Sequence, residues 1–227
     1  MADVVSARRV GAVFLPDLLC ELVSDGRDPK APFAVALSEK EERRGEEAEL
    51  SNVLSAANDA AKSFGVRAGQ TVVEARSLVA GLAIHGITTK RIQKALGRVA
   101  EVLLAFGTTA SIDPGFPFLP LDTAWIDLTG TAHLRGGEEA ALLEMTARVR
   151  ELGHRARAAI ADDPHLTRAI AAFGTSPETI AAPGAAENTM KALPLEALPL
   201  SREHVLWLHR LGLFTVCLLY TSDAADE

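Results

Sequence analysis

The hydrophobic pattern of the chain alternates between short apolar runs and longer stretches with helical spacing. Continuous apolar runs, typical of buried strands, cover residues 10–15, 33–37, 53–57, 124–128 and 156–161. Apolar positions three or four residues apart predict helices over residues 16–23, 58–64, 72–80, 88–106, 138–152 and 165–173. Strands interspersed with long helices predict an α+β body, and no internal repeat is visible.

The pattern changes after Ser176. Short helical stretches there are separated by breakers and end in a helix over 204–211; the breakers are Pro177, Pro183, Gly184, Pro194 and Pro199. The sequence therefore predicts a second, all-α module of small helices. Two other segments, the charged run 39–49 and the proline-rich run 113–120, predict solvated loops.

Composition and charge narrow the class of protein. With 227 residues, 48% of them hydrophobic, the chain can bury a sizeable core and is not disordered. A formal net charge of -7 argues against a uniformly basic coat for nucleic acid and leaves room for a local basic face. The apolar run 10–15 is too short for a signal peptide, and no run reaches membrane-spanning length. These features predict a soluble cytoplasmic protein with no membrane partner.

The sequence contains few of the common short motifs for metal binding, phosphate binding or nucleophilic catalysis. The two cysteines, Cys20 and Cys217, provide neither a disulfide framework nor a zinc quartet. The six histidines have no metal-ligand spacing, and no phosphate-binding glycine loop or nucleophile elbow occurs. One pattern remains: Asp122 and Asp127 flank a predicted strand. Carboxylates at strand ends can hold magnesium for phosphoryl transfer, but an aspartate also commonly begins a strand or precedes a turn.

Four segments in order resemble the Y-family translesion DNA polymerases. They are similar to the family's fingers, palm, palm-to-thumb and thumb motifs, and they cover residues 54–76, 120–130, 158–174 and 193–216. The resemblance implies a palm with a ferredoxin-like sheet and two helices, formed by residues 1–16 and 77–166. It implies small fingers over 17–76 and an incomplete all-α helix-hairpin-helix thumb over 167–216.

The departures from this family fall on its working residues. Of the three catalytic carboxylates that the resemblance implies, Leu15 and Thr123 replace two, and Asp122 remains as the one potential metal ligand. The alternative palm register over 111–114, which uses Asp113, also lacks the glutamate. Two divalent ions beside a triphosphate need about three carboxylates to offset their charge. A catalytically inactive polymerase scaffold is therefore expected, with no cofactor, or with magnesium if residual activity persists.

The residues that grip the nucleotide in this family are also replaced. The triphosphate-binding tyrosine and arginine of the fingers match Asp59 and Lys62, and the palm lysine matches Pro164. Asp59 adds negative charge where the triphosphate would lie, and Pro164 removes a cation.

Contact with primer-template DNA is the remaining expected function. The hairpin glycines of the thumb match Pro199 and Ser201, and Pro199 has no N–H to offer a phosphate. The expected DNA-binding residues are Arg168, Ser201, Arg202, Arg210 and Gly212. Arg202 and Arg210 have a second interpretation, as ordinary solvated residues on a helix face.

Within the family, the chain resembles the ImuB type, on the segments 14–17 and 130–137. The resemblance implies an adaptor in SOS mutagenesis and translesion repair. Its implied partners are an error-prone C-family polymerase, a RecA-like accessory protein and the sliding clamp, bound through segments beyond the thumb.

Two other hypotheses stay open at the level of sequence. One is an active but divergent polymerase that uses Asp122 with Asp17 or Asp113. The other is a scaffold that has kept the fold and does not bind DNA.

The tail over residues 217–227 does not continue the thumb pattern. It resembles the translation of a sequencing-library adaptor, and we interpret it as an artefact to be left out of fold reasoning. It holds three acids (Asp223, Asp226 and Glu227) and no base, so without it the net charge becomes -4 rather than -7.

Overall fold

The computed structural model describes residues 8–24, 26, 28, 30–39, 50–113, 115 and 120–217. The helices and strands, in chain order, are β1 (Val10–Phe14), α1 (Leu18–Val23), β2 (Phe33–Ser38), β3 (Leu50–Ala57), α2 (Asp59–Ser63), α3 (Val72–Leu78), β4 (Ala83–Ile87), α4 (Thr89–Leu103), β5 (Ala110–Ser111), β6 (Thr123–Asp127), α5 (Glu138–Glu151), β7 (Arg157–Ala161), α6 (Pro164–Phe173), β8 (Glu178–Ile180), α7 (Ala186–Lys191) and α8 (Arg202–Arg210). Two 3-10 turns cover Ala132–Arg135 and Leu195–Ala197.

The chain divides into two compact units. The first combines the residues up to Pro16 with those from Leu96 onward, and the second is Asp17–Ala95. The predicted α+β fold is confirmed, since each unit contains a sheet with helices. The assignment of residue ranges to palm, fingers and thumb stays a prediction.

The first unit is built around β1, the central strand of a five-stranded sheet in the order β5-β6-β1-β7-β8. Small and β-branched residues make β1 apolar on both faces, as a strand with neighbours on each side requires. β1 runs antiparallel to β6 and to β7, and its last residue, Phe14, pairs with Thr123 and Arg157. The end of β1 is therefore held in fixed register against the start of β6.

Helix α6 packs against this sheet because its inward face is apolar. Leu166, Ala169 and Ile170 are buried in one cluster with alanines of β7. Asp163 caps the helix by accepting hydrogen bonds from the N–H groups of His165 and Leu166. The packing fixes which side chains of α6 reach the sheet.

The second unit has a three-stranded sheet in the order β3-β2-β4. β2 pairs antiparallel with β3 and parallel with β4. Asn58 caps α2, and Thr71 and Glu74 form a capping box at α3. These caps explain why both short helices begin where turn-forming residues stand.

The all-α prediction beyond Ser176 is wrong at one point. Glu178–Ile180 forms β8, parallel to β7, because the edge of the first sheet offers unpaired backbone groups there. The rest of that region is helical and has a small core of Leu195, Val205 and Leu208. Residues 40–49 of the predicted charged loop and 218–227 of the tail lie outside the described residues.

Candidate functional site: the corner between β1 and β6

Three residues that the sequence singles out lie together at one corner of the first sheet. Leu15 directly follows β1, Thr123 begins β6 and Asp122 precedes it. The Leu15 N–H donates to the Asp122 carbonyl oxygen at 2.8 Å, which continues the antiparallel ladder by one residue. We call Leu15, Asp122 and Thr123 the β1–β6 corner.

Two of the corner residues are buried and bring no charge. Leu15 and Thr123 are each 1% exposed. The Thr123 hydroxyl donates a hydrogen bond to Asp122 Oδ1 at 2.8 Å. The corner thus holds a single carboxylate.

Arg168 of α6 binds this carboxylate in a bidentate ion pair. Its Nη2 lies 2.8 Å from Asp122 Oδ2 and 3.1 Å from Oδ1, and its Nε lies 3.2 Å from Oδ1. The side chains of Arg168 and Asp122 are only 6% and 18% exposed. A forked, shielded contact of this kind is the strongest class of protein ion pair.

The surroundings of the pair are apolar on one side. The guanidinium carbon of Arg168 lies 5.8 Å from the centre of the Phe14 ring, within cation–π range. Burial raises the pKa of the Asp122 carboxyl, against the opposing effects of Arg168 and the Thr123 hydroxyl. Asp122 therefore depends on Arg168 to remain charged in this poorly hydrated position.

The other aspartate of this segment is at the far end of the strand. Asp127 pairs with Val10 in register, whereas Thr123 pairs with Phe14. Asp127 Oδ1 accepts from the Thr129 N–H at 2.9 Å, and the Thr129 hydrogen bonds lower its pKa. Asp127 serves the turn after β6. Among the residues that the structure describes, no three His, Cys, Asp or Glu side chains are grouped so as to hold a metal ion.

Pro164 is the first residue of α6, where the missing N–H of proline does no harm. Its carbonyl oxygen accepts from Trp125 Nε1 at 3.0 Å. Pro164, which the resemblance matches to a palm lysine, is thus part of the attachment of α6 to β6.

In the second unit, Lys62 lies between two carboxylates. Its Nζ is 3.1 Å from Asp59 Oδ1 and 3.2 Å from Asp17 Oδ1. Desolvation opposes the charge on Lys62, yet the hydrogen bonds to Asp59 and Asp17 leave its pKa raised. Asp17, the alternative metal ligand, is therefore engaged by a lysine. The other alternative, Asp113, is exposed, and its Oδ1 accepts from the Gly115 N–H at 2.9 Å.

The expected DNA-binding residues fall into two groups. Arg202, Arg210 and Gly212 are exposed at the two ends of α8, and Gly212 has a φ of +84°. Ser201 caps α8 by accepting from the His204 N–H. Arg168, by contrast, is buried against Asp122, so the structure corrects its expected place on a DNA-facing surface.

The pairing of Arg168 with Asp122 is the feature of this site that the sequence interpretation missed. The residues are 46 positions apart, so no local pattern links them. One signal was available: Arg168 stands on the inward face of α6 beside Ala169 and Ile170, where a lone arginine needs an acidic partner.

Searches of solved structures find the same fold. The structure is similar to DinB from Sulfolobus solfataricus, with a TM-score of 0.65 and 15% identity over 91% of this chain and 58% of that one. It is also similar to an insertion ternary complex of Dbh DNA polymerase, with a TM-score of 0.64 and 16% identity, at the same coverage. A Y-family DNA polymerase chimera based on Dbh gives a TM-score of 0.63 at 15% identity, covering 91% of this chain and 58% of that chain. The fold is that of the Y-family DNA polymerases.

Sequence comparison defines the family. The model of the impB/mucB/samB family matches residues 20–175, and the chain belongs to that family. It is 34% identical over 153 residues to Protein ImuB of two strains of Caulobacter vibrioides. The match covers 67% of this chain and 32% of those proteins, so the chain spans about a third of their length. No helix in the described part of the chain is long and apolar enough to cross a bilayer.

Proposed function

We propose that the chain is a non-catalytic Y-family polymerase-like protein that acts as a DNA-binding adaptor in SOS mutagenesis and translesion repair. Membership of the impB/mucB/samB family and the likeness to ImuB support a role in the response to DNA damage. The observation that carries the non-catalytic part is the β1–β6 corner, where one carboxylate remains and Arg168 binds it.

A single carboxylate at the β1–β6 corner argues against catalysis because of the chemistry of polymerisation. Phosphoryl transfer through two divalent ions needs carboxylates that clamp the ions beside the attacking and leaving oxygens. Leu15 and Thr123 supply no charge, and the charge of Asp122 is neutralised by an arginine. Removal of one oxyanion-hole donor ordinarily lowers a rate by about 10²–10³-fold, and we expect the replacement of two metal-binding carboxylates to cost at least as much.

The second unit supports the same proposal. Lys62, at the fingers position of a triphosphate-binding arginine, is already bound to Asp59 and Asp17. A triphosphate would bring negative charge beside these two carboxylates. Repulsion between them works against nucleotide binding.

DNA contact is proposed through α8. Arg202 and Arg210 are exposed at its two ends, about 12 Å apart along the helix axis, and both can reach phosphate groups. The exposed Gly212 and the Ser201 cap allow the backbone at each end to come close to the DNA.

The same proposal includes the cytoplasm as location and the partners implied by the ImuB resemblance. These are the error-prone C-family polymerase, the RecA-like accessory protein and the sliding clamp.

Primer extension tests the non-catalytic proposal. The full chain is incubated with primer-template DNA, all four deoxynucleotides and magnesium or manganese, beside an active Y-family polymerase as control. We expect no extension with either metal. Template-directed extension would overturn the proposal and favour a divergent polymerase; loss of that activity in Asp17→Asn or Asp113→Asn would then identify its extra ligand.

Filter binding to the same DNA over a range of salt tests the adaptor's DNA contact. Binding should weaken as salt rises, because phosphate contacts release counterions. Arg202→Gln and Arg210→Gln should each reduce the salt slope by about one. Arg98→Gln, on the exposed side of α4, is the matched control and should leave the slope unchanged. Absence of binding at low salt would instead favour a scaffold that has kept only the fold.

A further inference from the structure

We propose that Arg168 is a tethered cation that takes the place of a metal ion at the β1–β6 corner and prevents a divalent ion from binding there. This inference rests on the proposed non-catalytic function and goes beyond it. Loss of two carboxylates explains weak metal binding, whereas Arg168 would exclude the metal even where carboxylates are present.

The first argument is that the hydrogen-bond-accepting capacity of Asp122 is largely taken up. Its two oxygens accept from the Thr123 hydroxyl, from Arg168 Nε and from Arg168 Nη2, which contacts both oxygens. Oδ1 accepts three of these contacts and Oδ2 accepts one, from Arg168 Nη2, so that of the about four lone-pair positions of a carboxylate one on Oδ2 is left. A metal ion that binds Oδ1 must displace one of its donors, and a metal ion that approaches Oδ2 comes to lie beside Arg168 Nη2, which already contacts that oxygen.

The second argument is that the cation is held from several sides. Arg168 lies on the second turn of α6, whose first turn is fixed by the Asp163 cap and by the bond from Trp125 Nε1 to the Pro164 carbonyl. The Phe14 ring faces its guanidinium carbon at 5.8 Å. With 6% of its side chain exposed, Arg168 has little room to turn away.

The third argument is electrostatic. The guanidinium of Arg168 is held against Asp122 as its ion-pair partner. A divalent cation placed beside Asp122 would therefore be a few ångströms from a fixed positive charge in a poorly hydrated corner, where repulsion is stronger than in water. New carboxylates at positions 15 and 123 would also be attracted to Arg168.

The prediction is that restored carboxylates do not restore a metal site while Arg168 remains. Manganese binding is measured by calorimetry and by the electron paramagnetic resonance signal of free Mn²⁺ on four full-length chains. They are the natural chain, Leu15→Asp with Thr123→Glu, the same pair with Arg168→Met, and the same pair with Arg98→Met as matched control. The chain with Arg168→Met should bind at least tenfold more tightly than the other three. Equal affinity in the chains with and without Arg168 would overturn the proposal.

A second measurement needs no substitution and keeps the proposal testable if the variants fail to fold. The Nε–H group of Arg168 should give a slowly exchanging nuclear magnetic resonance signal in the natural chain, since it is buried and bonded to Asp122. Millimolar Mn²⁺ should leave this signal sharp. Selective broadening of the signal at low Mn²⁺ concentration would place the ion at the corner and refute the tethered cation.

The two proposals can fail separately. Primer extension by the natural chain would refute the non-catalytic function. Manganese binding that does not depend on Arg168 would refute the tethered cation and leave the non-catalytic function standing.

Discussion

A buried arginine lies at each end of β1: Arg9 directly before the strand and Arg168 of α6 beside its last residue. Each arginine binds carboxylate, but the two ion pairs have different roles. At the start of the strand, Arg9 bonds to both oxygens of Glu138 at 2.6 and 2.7 Å and to Asp162 Oδ1 at 2.6 Å. Its Nη2 also donates to the Ala181 carbonyl oxygen at 2.9 Å. At the other end, about 13 Å away, Arg168 makes its hydrogen bonds to Asp122 as far as the described residues go.

The Arg9 ion pairs connect parts of the fold, whereas the Arg168 ion pair lies at the β1–β6 corner. Arg9 joins three distant parts of the unit: the start of α5, the loop after β7 and the loop after β8. Arg168 joins α6 to one residue, at the corner where the resemblance implies catalytic carboxylates. The same interaction therefore holds the fold together at one end of β1 and neutralises the Asp122 carboxylate at the other.

The largest expected effect is at the Arg9 end. Arg9→Met leaves the partly exposed Glu138 and Asp162 without their cation and the Ala181 carbonyl oxygen without its donor, and loss of one partner of a shielded ion pair ordinarily costs about 3–5 kcal/mol of unfolding free energy. Urea denaturation followed by circular dichroism measures the loss. The exposed neighbour provides the control: Arg8→Met should change stability by less than about 0.5 kcal/mol. Equal effects of the two substitutions would remove the structural role given to Arg9.

The next effect concerns the Arg168 end. Arg168→Met should cost about 2–4 kcal/mol because it leaves the Asp122 carboxylate buried and unpaired. The double change Asp122→Leu with Arg168→Met should recover most of this loss, since a buried pair replaced by apolar side chains is often close to neutral. If the double variant is as unstable as the single one, the pair does more for the fold than neutralise its own charges.

The pH dependence of stability tests the ion pair at the Arg9 end through Asp162. Hydrogen bonds from the Gly184 N–H and Arg9 lower the pKa of Asp162, so its contribution is present above its unfolded value and is lost as pH falls through the lowered folded value. Asp162→Asn should be less stable than the natural chain at pH 6 by about 1 kcal/mol, and the gap should close below about pH 4. Urea midpoints at successive pH values measure this; a gap that widens in acid would contradict it.

The smallest effects come from two threonines, one at each end of β1. The Thr123 hydroxyl donates to Asp122, and Thr129 Oγ1 accepts from the Arg9 N–H at 3.0 Å. Replacement of either by valine should cost about 1 kcal/mol, the ordinary value of one hydrogen bond. Thr123→Val should in addition raise the pKa of Asp122 further, which a carboxyl carbon NMR titration would follow. An unchanged titration would mean that the Thr123 hydroxyl does not stabilise the charge.

Much of the fold could be predicted from local pattern. The apolar run before Pro16 gives β1, and the spacing of Ile92, Leu96 and Val99 gives the inward face of α4. By contrast, β4 was missed, because His85 and Gly86 interrupt its apolar character and only the parallel pairing with β2 makes it a strand. The two-residue β5 and three-residue β8 are likewise strands only through their neighbours.

The residues of the candidate site could be picked out from the sequence, but the contacts between their side chains could not. The resemblance drew attention to Leu15 and Thr123, and the structure places both beside Asp122. The partner of Asp122 depends on the packing of α6 over the sheet, which brings together residues far apart in the chain. The same holds for Arg9, whose acidic partners are 129 and 153 residues away.

The bond from Trp125 to Pro164 also has a spectroscopic consequence. The chain has two tryptophans: Trp125 is buried at 6% exposure beside the corner, and Trp207 is 57% exposed on α8. Their emission should separate into a shielded, shorter-wavelength component and one that soluble quenchers reach readily. Unfolding of the sheet can thus be followed by the emission of Trp125, and binding of DNA at α8 by the emission of Trp207, without a label.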